Sequence, residues 1–279
     1  MVRLDRWPGG RPKPARRRGS IHCALPGPIR FPRFGDRKQA GADERGQARG
    51  RSAARADQRR RPDRRAGRVG RVGCSAGLLL AHDGYRYSVA GATWGANESP
   101  VHIDFEWRST HRVPDLDLTP ELRVAVGIDL NPIDPGDPDD RAWMQALVWP
   151  ENLHEAALLD AALSVLATDP PRRVVGDARR LIAPVVRDLP PELSVVIFHA
   201  ATRAHVPPED RPEFDDAINQ MGASHTLFHL SLEGSADPRF RRHRGSFLLT
   251  LEERRPGEPV ITSHLALVDQ HGEWIRPLD

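Results

Sequence analysis

Four short stretches of the chain hold residues able to do chemistry. "VGCSAGLLL" contains Gly73-Cys74-Ser75-Ala76-Gly77, which fits G-x-S-x-G, the turn that presents a nucleophilic serine in many hydrolases. The same five residues suit a small-residue turn between strand and helix, where backbone amides hold a nucleotide-like ligand. Further on, Asp129 lies in "GIDLNP", Asp177 in "VVGDA" and His199 in "VVIFHAA".

As a nucleophile, Ser75 needs a base and an orienting acid. His199, His205, His264 and His271 all follow it, so the order Ser, Asp, His can be filled. With so many His and Asp available, that order carries little information. The upstream sequence weighs against the hydrolase. A nucleophile elbow follows a central strand, with other strands and an oxyanion loop laid down before it. The residues before Val72 read as an Arg-rich tract with neither feature, so Ser75 reads as a small loop residue.

A nucleoside-binding α/β domain sets an ordered series of demands. Its first strand ends in a small-residue loop that a ligand can approach without Cβ clashes. Its second ends in a carboxylate able to accept both ribose hydroxyls, its third in a polar residue near the base, and its fourth near the reacting group. Gly73–Gly77, Asp129, Asp177 and His199 meet these demands in order, each at the end of a strand-like run.

The elements that must position these residues alternate in type. "YRYSVAG" and "VHIDFEWRS" alternate polar and apolar residues as strands do, separated by the loop "GATWGANESP". "LRVAVGIDLNP" is a β-branched run ending in a turn. "DPDDRAWMQALVWP" and "ENLHEAALLDAALSVLATD" carry apolar residues at helical spacing. "RRVVGDA" reads as a strand, "ARRLIAPVVRDLP" as a helix, and "LSVVIFHAA" as a strand covered on both faces. "PPEDRPEFDDAINQM" reads as a helix, and "HTLFHLSLEG", "GSFLLTLEE" and "VITSHLALVDQHGEW" as three closing strands. The expected fold class is therefore α/β, a doubly wound and mainly parallel sheet with antiparallel C-terminal edge strands.

The overall charge of +3 averages two unlike parts. Residues 1–72 hold 22 Lys+Arg against 6 Asp+Glu, a net +16, and residues 73–279 hold 19 Arg, no Lys and 32 Asp+Glu, a net −13. The acidic body argues against a nucleic-acid partner. The basic tract lacks both an apolar secretory core and the acid-poor, Ser-rich composition of a transit peptide. Residues 1–66 read as a disordered basic segment, with an out-of-frame or mis-started origin favoured over a genuine basic arm. Two cysteines, Cys23 and Cys74, give neither a disulfide framework nor zinc spacing. Together with the lack of an apolar run of membrane-spanning length, this leads to the expectation of a cytoplasmic protein.

"VGCSAGLLL", "GIDLNPIDPGDPDDRAWMQALVWPE", "VVGDA" and "VVIFHAATRAHVPPEDRPEFD" resemble the bacterial family catalogued as domain of unknown function 2332, whose members resemble class I S-adenosylmethionine-dependent methyltransferases. The resemblance covers about residues 72–279, and the block "IDLNP…DD…W…ALVWPE" is its most specific part. The family carries an acidic residue two positions before the first glycine, where this chain has Arg71, and residues 1–71 do not resemble its longer, largely helical N-terminal portion.

The resemblance implies a Rossmann-like, methyltransferase-like domain over residues 67–279, with a β insertion at about 83–123, that takes S-adenosylmethionine as cofactor. By motif, Gly73, Ser75 and Gly77 would surround the methionine portion and ribose, Asp129 would bind the ribose hydroxyls, and Asp177 the adenine amino group. The loop-to-Asp129 gap of about fifty residues requires the insertion, since a nucleotide fold needs roughly twenty. Glu106 is the alternative ribose ligand if "VHIDFEW" is the true second strand. His199 and His205 are candidate bases in a methyl transfer promoted mainly by positioning, with the acceptor undefined. The competing readings are a degenerate, non-catalytic binding protein and a truncated non-functional product. No metal is expected, because Asp134, Asp137, Asp139 and Asp140 read as a solvated helix N-terminus. Trp143 and Trp149 read as packing anchors, and Cys74 as a small filler.

Overall fold

The computed structural model describes residues 67–113, 122–187, 189, 193–235, 239–240 and 245–278. The basic segment 1–66 and residues 114–121 of the expected insertion lie outside the described residues. In chain order the elements are β1 (Gly67–Val72), β2 (Arg86–Val89), β3 (Ala92–Gly95), β4 (His102–Asp104), β5 (Glu106–Trp107), β6 (Leu122–Asp129), α1 (Pro138–Gln145), α2 (Leu153–Thr168), β7 (Arg172–Val175), α3 (Ala178–Arg187), β8 (Val195–Ala200), α4 (Arg211–Asn219), β9 (Leu227–Glu233), β10 (Ser246–Arg254), β11 (Ile261–Asp269) and β12 (Trp274–Pro277).

The Arg-rich approach to the glycine loop is itself a strand, contrary to the expectation that none precedes Gly73. β1 pairs in parallel with β6 on one side and β8 on the other. A central strand normally announces itself as an apolar run, and "GRVGRV" does not. Ladders on both sides satisfy its backbone instead, and Arg71 lays its guanidinium 5.7 Å from the Phe198 ring centroid, a cation–π arrangement. The lack of a central strand therefore no longer counts against a serine nucleophile.

The large sheet has nine strands in the order β5-β12-β11-β10-β9-β8-β1-β6-β7. From β7 to β9 every neighbouring pair is parallel, and from β9 to β12 every pair is antiparallel. The five parallel strands, numbered by first appearance, run 3-2-1-4-5, so the order reverses between β1 and β8. Ligands of open α/β sheets sit beyond the carboxyl ends of the strands at such a reversal. Mainly parallel strands with an antiparallel C-terminal flank match the sequence expectation. Besides β1, two elements were not legible: β3 lies within the segment read as a loop, and β12 adds a fourth closing strand.

The two faces of the sheet are covered differently. Ile182 and Val186 of α3, with Phe214 and Ile218 of α4, pack on Val72, Ile128 and Ile197. On the opposite face Val196, Phe198, Leu230, Leu232 and Leu251 form a second core with Leu79. A separate three-stranded sheet, β3-β2-β4, packs Tyr87 and Ile103 with Leu159 and Leu163 of α2 in a third, joined at the sheet edge by Trp107 and Ile275. This small sheet occupies the connection between β1 and β6. The same connection then carries β5 to the far edge, where it pairs with β12.

Local sequence sets the helix starts. Asp137 caps α1 by accepting the Asp139 and Asp140 N–H groups at 2.8 and 3.1 Å, and Pro138 fills the first turn, where no N–H partner is needed. Asp140 in turn accepts the Asp134 N–H at 2.8 Å. The acidic cluster is thus consumed in shaping a helix N-terminus. Trp143 and Trp149, expected as packing anchors, are 37% and 73% exposed.

Candidate functional site

The loop after β1 is bound to the end of β6 by one carboxylate. Asp129 Oδ2 accepts the Ser75 N–H at 2.7 Å, and its Oδ1 accepts the Asn131 N–H at 2.9 Å. Gly73 N–H donates to the Ile128 carbonyl at 2.9 Å. Ser75 sits at φ 52°, a conformation costly for a non-glycine residue, and its bond to Asp129 offsets that strain. The glycines of the motif pack against protein. A Cβ on Gly73 would lie 2.3 Å from Thr202 Oγ1, and one on Gly77 would lie 2.7 Å from Pro171 Cγ.

Cys74 is buried against Gly127, where a Cβ would lie 2.5 Å from its Sγ. Burial pushes its thiol up to about 11, so the group is packing rather than a nucleophile. Ser75 Oγ contacts Met144 Sδ at 4.0 Å. Among the described residues no histidine hydrogen-bonds to it, which now weighs against the hydrolase in place of the missing strand.

Asp177 stands at the end of the third parallel strand, as expected. Its carboxylate accepts the Arg179 backbone N–H at 2.9 Å and grips the Arg179 guanidinium, with the shortest contact at 2.6 Å. Those bonds hold Asp177 below the usual carboxylate range. Arg179 also reaches Glu213 of α4 at 2.9 Å. Glu106 lies in β5 at the opposite edge of the sheet from β7, paired with Arg108 at 2.7 Å.

Two large apolar side chains stand exposed at these strand ends. Val175 is the ladder partner of Asp129, so both project from the same face of the sheet. Val175 is 69% exposed, and Leu130, directly after Asp129, is 74% exposed.

His199 is placed differently from a substrate-lining base. It is 1% exposed, and both ring nitrogens are engaged. Nδ1 donates to Glu233 Oε1 at 2.7 Å, and Nε2 faces His229 Nε2 at 3.0 Å. His205 is exposed on the short turn after β8, its N–H bonded to the Thr202 carbonyl at 3.0 Å.

Sequence reasoning missed Thr202 and Glu233. Thr202 Oγ1 donates within reach of the Val72 and Ala200 carbonyls, at 3.2 and 3.1 Å, and so ties the end of β1 to the end of β8. Glu233 Oε1 accepts the Thr202 and Arg203 N–H groups at 2.8 and 2.9 Å. Burial alone would raise its pKa, but the bonds from His199 and these two amides hold it below the usual range. The available signal was a carboxylate closing "LSLEG", the fifth parallel strand.

A comparison with known protein families matches residues 54–276 to the family described as "Uncharacterized protein conserved in bacteria (DUF2332)". The chain belongs to DUF2332. A search of curated proteins finds no match. The DUF2332 region begins before β1 and ends inside β12, so it takes in the nine-stranded sheet but for the last residue of β12. Among the described residues, no helix of this DUF2332 chain is long and apolar enough to cross a membrane.

Proposed function

We propose that the crevice at the carboxyl ends of β1, β6 and β7 binds the nucleoside part of S-adenosylmethionine, and that the chain is a methyltransferase-like, Rossmann-like protein. One observation carries this reading. Asp129, which already orders the glycine loop, stands beside two exposed apolar side chains, Leu130 and Val175, at the ends of the second and third parallel strands. Exposed apolar groups are unremarkable singly. At the ligand end of a doubly wound sheet, Val175 on the same face as Asp129 and Leu130 directly after it offer apolar surface to a flat base.

The donor set fits a nucleoside at Asp129. A carboxylate offers about four lone-pair sites, and the Ser75 and Asn131 amides take two, leaving capacity for ribose hydroxyl donors. Asp177 is committed to Arg179, so it would meet an adenine amino group only by sharing that ion pair. When bound, the cofactor would supply an electrophilic methyl group, and the residues of this chain would hold and orient it.

The sealing of His199 favours a second reading, a binding protein without catalysis, because both of its ring nitrogens are already engaged, with Glu233 and His229. Isothermal titration of the full chain with S-adenosylmethionine tests the first reading. One-to-one binding is expected, weakened at least about tenfold by Asp129→Ala and by Val175→Asp. A folded chain that gives no heat would refute it. Binding without methyl transfer to protein, nucleic-acid or small-amine acceptors would support the second reading.

A further inference from the structure

A polar row with a buried centre and half-buried ends crosses three strands of the sheet, on the far side of β1 from Asp129. It runs Glu233, His199, His229, Glu252. Glu233 Oε1 and His199 Nδ1 are 2.7 Å apart, the two Nε2 atoms 3.0 Å, and His229 Nδ1 and Glu252 Oε2 3.2 Å. Arg254 adds a contact to Glu252 at 3.1 Å.

The row can be counted in protons. Glu233 is held ionised by its two backbone amides and His199, and Glu252 is pulled down to about 2, first by its bond to His229. Ionised carboxylates only accept, so each imidazole must give its Nδ1–H outward. Two neutral rings then present bare Nε2 lone pairs to each other at 3.0 Å, which is repulsive. One additional proton between them satisfies all three contacts. It also balances charge. Glu233, Glu252 and Asp215 of α4 face Arg254 and Arg203, which pairs with Asp215 at 2.7 Å, leaving one negative charge for the pair to offset. From α4, Phe214 places its ring edge-on to His199 at 5.5 Å. On β11, His264 is turned to Thr250 at 3.1 Å.

We propose that His199 and His229 share one proton, as an imidazole–imidazolium pair closed at each end by a carboxylate, and that this proton is a pH-sensitive clasp on the turn after β8. The clasp acts through Glu233, whose Oε1 binds His199 together with the Thr202 and Arg203 amides. Thr202 in turn ties β8 to the end of β1 and abuts Gly73. As pH rises and the shared proton leaves, the facing lone pairs separate, His199 shifts from Glu233, and the turn loosens. At low pH the pair resists a second proton, because burial and the neighbouring His199 hold His229 below the ordinary histidine range. The stabilising contribution is thus a window: it is lost as pH rises and the shared proton leaves, and it falls again below the ordinary histidine range, where the unfolded chain binds two protons and the pair only one.

A metal ion is the other species that would satisfy facing lone pairs. The geometry disfavours it. Two bonds of about 2.0–2.1 Å at a tetrahedral angle would hold the nitrogens about 3.3 Å apart, and among the described residues no group of three His, Cys, Asp or Glu could hold a metal.

Imidazole nitrogen-15 spectra of the full chain test the proposal, which stands independently of cofactor binding. Near neutral pH, both Nδ1 atoms are expected to be protonated and the two Nε2 atoms to share a single proton. Its loss at higher pH should speed hydrogen exchange of the Thr202 and Arg203 amides about tenfold, after correction for intrinsic base catalysis. In His229→Gln, a carboxamide that donates without titrating replaces the ring, and the pH step in that exchange should vanish. Two neutral rings with bare Nε2 atoms throughout the range would overturn the proposal. So would an ion whose removal by chelator moves both rings, or a pH step that survives in His229→Gln. The wild-type spectra decide the matter even if that variant does not fold.

Discussion

Gly73→Ala probes how the glycine loop is held. Gly73 has φ +70°, a conformation that costs an alanine about 1 kcal/mol. The new Cβ would lie 2.3 Å from Thr202 Oγ1, 2.6 Å from its Cγ2 and 3.0 Å from its Cβ. Thr202 yields only by giving up its contacts to the Val72 and Ala200 carbonyls, or by overpacking the turn, which adds about 2 kcal/mol. The single substitution should therefore cost about 3 kcal/mol. Thr202→Ala alone should cost about 1.5 kcal/mol for its lost hydroxyl contacts and methyl. In the double variant the overlap with Oγ1 and Cγ2 is gone, the 3.0 Å approach of the two Cβ atoms is relieved by a small shift of the loop, and the backbone penalty and the Thr202 loss dominate, about 2.5 kcal/mol in all. The two substitutions should thus be coupled by about 2 kcal/mol, measured by urea unfolding of the full chain followed by tryptophan fluorescence. Additivity within about 0.5 kcal/mol would show that Gly73 is required for some reason other than Thr202.

Two further outcomes follow from the buried groups. The Glu252 carboxyl, lowered to about 2 from 4.5, gives stability that is present above about pH 4.5 and lost as pH falls toward 2; Glu252→Gln should flatten that part of the acid-unfolding curve, and an unchanged slope would contradict the role given to its His229 bond. In a Cys23→Ser variant, Cys74 should resist thiol-specific reagents at pH 8 and react only as urea unfolds the chain, since its thiol is buried and raised to about 11. Rapid labelling of the folded protein would refute its role as packing.

Much of the fold could be read from the sequence because its signals are local. The apolar spacing of "ENLHEAALLDAALSVLATD" gave α2, and the run "VVIFHA" gave a strand buried on both faces. The four acids around the start of α1 read as a helix N-terminus, and Asp137 is its cap, with Asp139 and Asp140 in the first turn. β1 was hidden, because its place in the sheet comes from partners some fifty and more than a hundred residues away rather than from its own Gly and Arg side chains. β12 was hidden for the same reason, being too short to show a period of its own.

The candidate site divides along the same line. The sequence by itself determined the residue types at the strand ends, Gly73, Asp129, Asp177 and His199, because turns and strand termini leave marks within a few neighbouring residues. Only the tertiary structure decided what each of them touches. Asp129 meets the Ser75 amide 54 positions away and Asp177 is taken by Arg179. His199 is turned from a candidate base into one end of a sealed pair with His229, 30 positions on. The physical reason is that a hydrogen bond depends on distance in space, and strand order brings together groups whose separation along the chain carries no periodic signal.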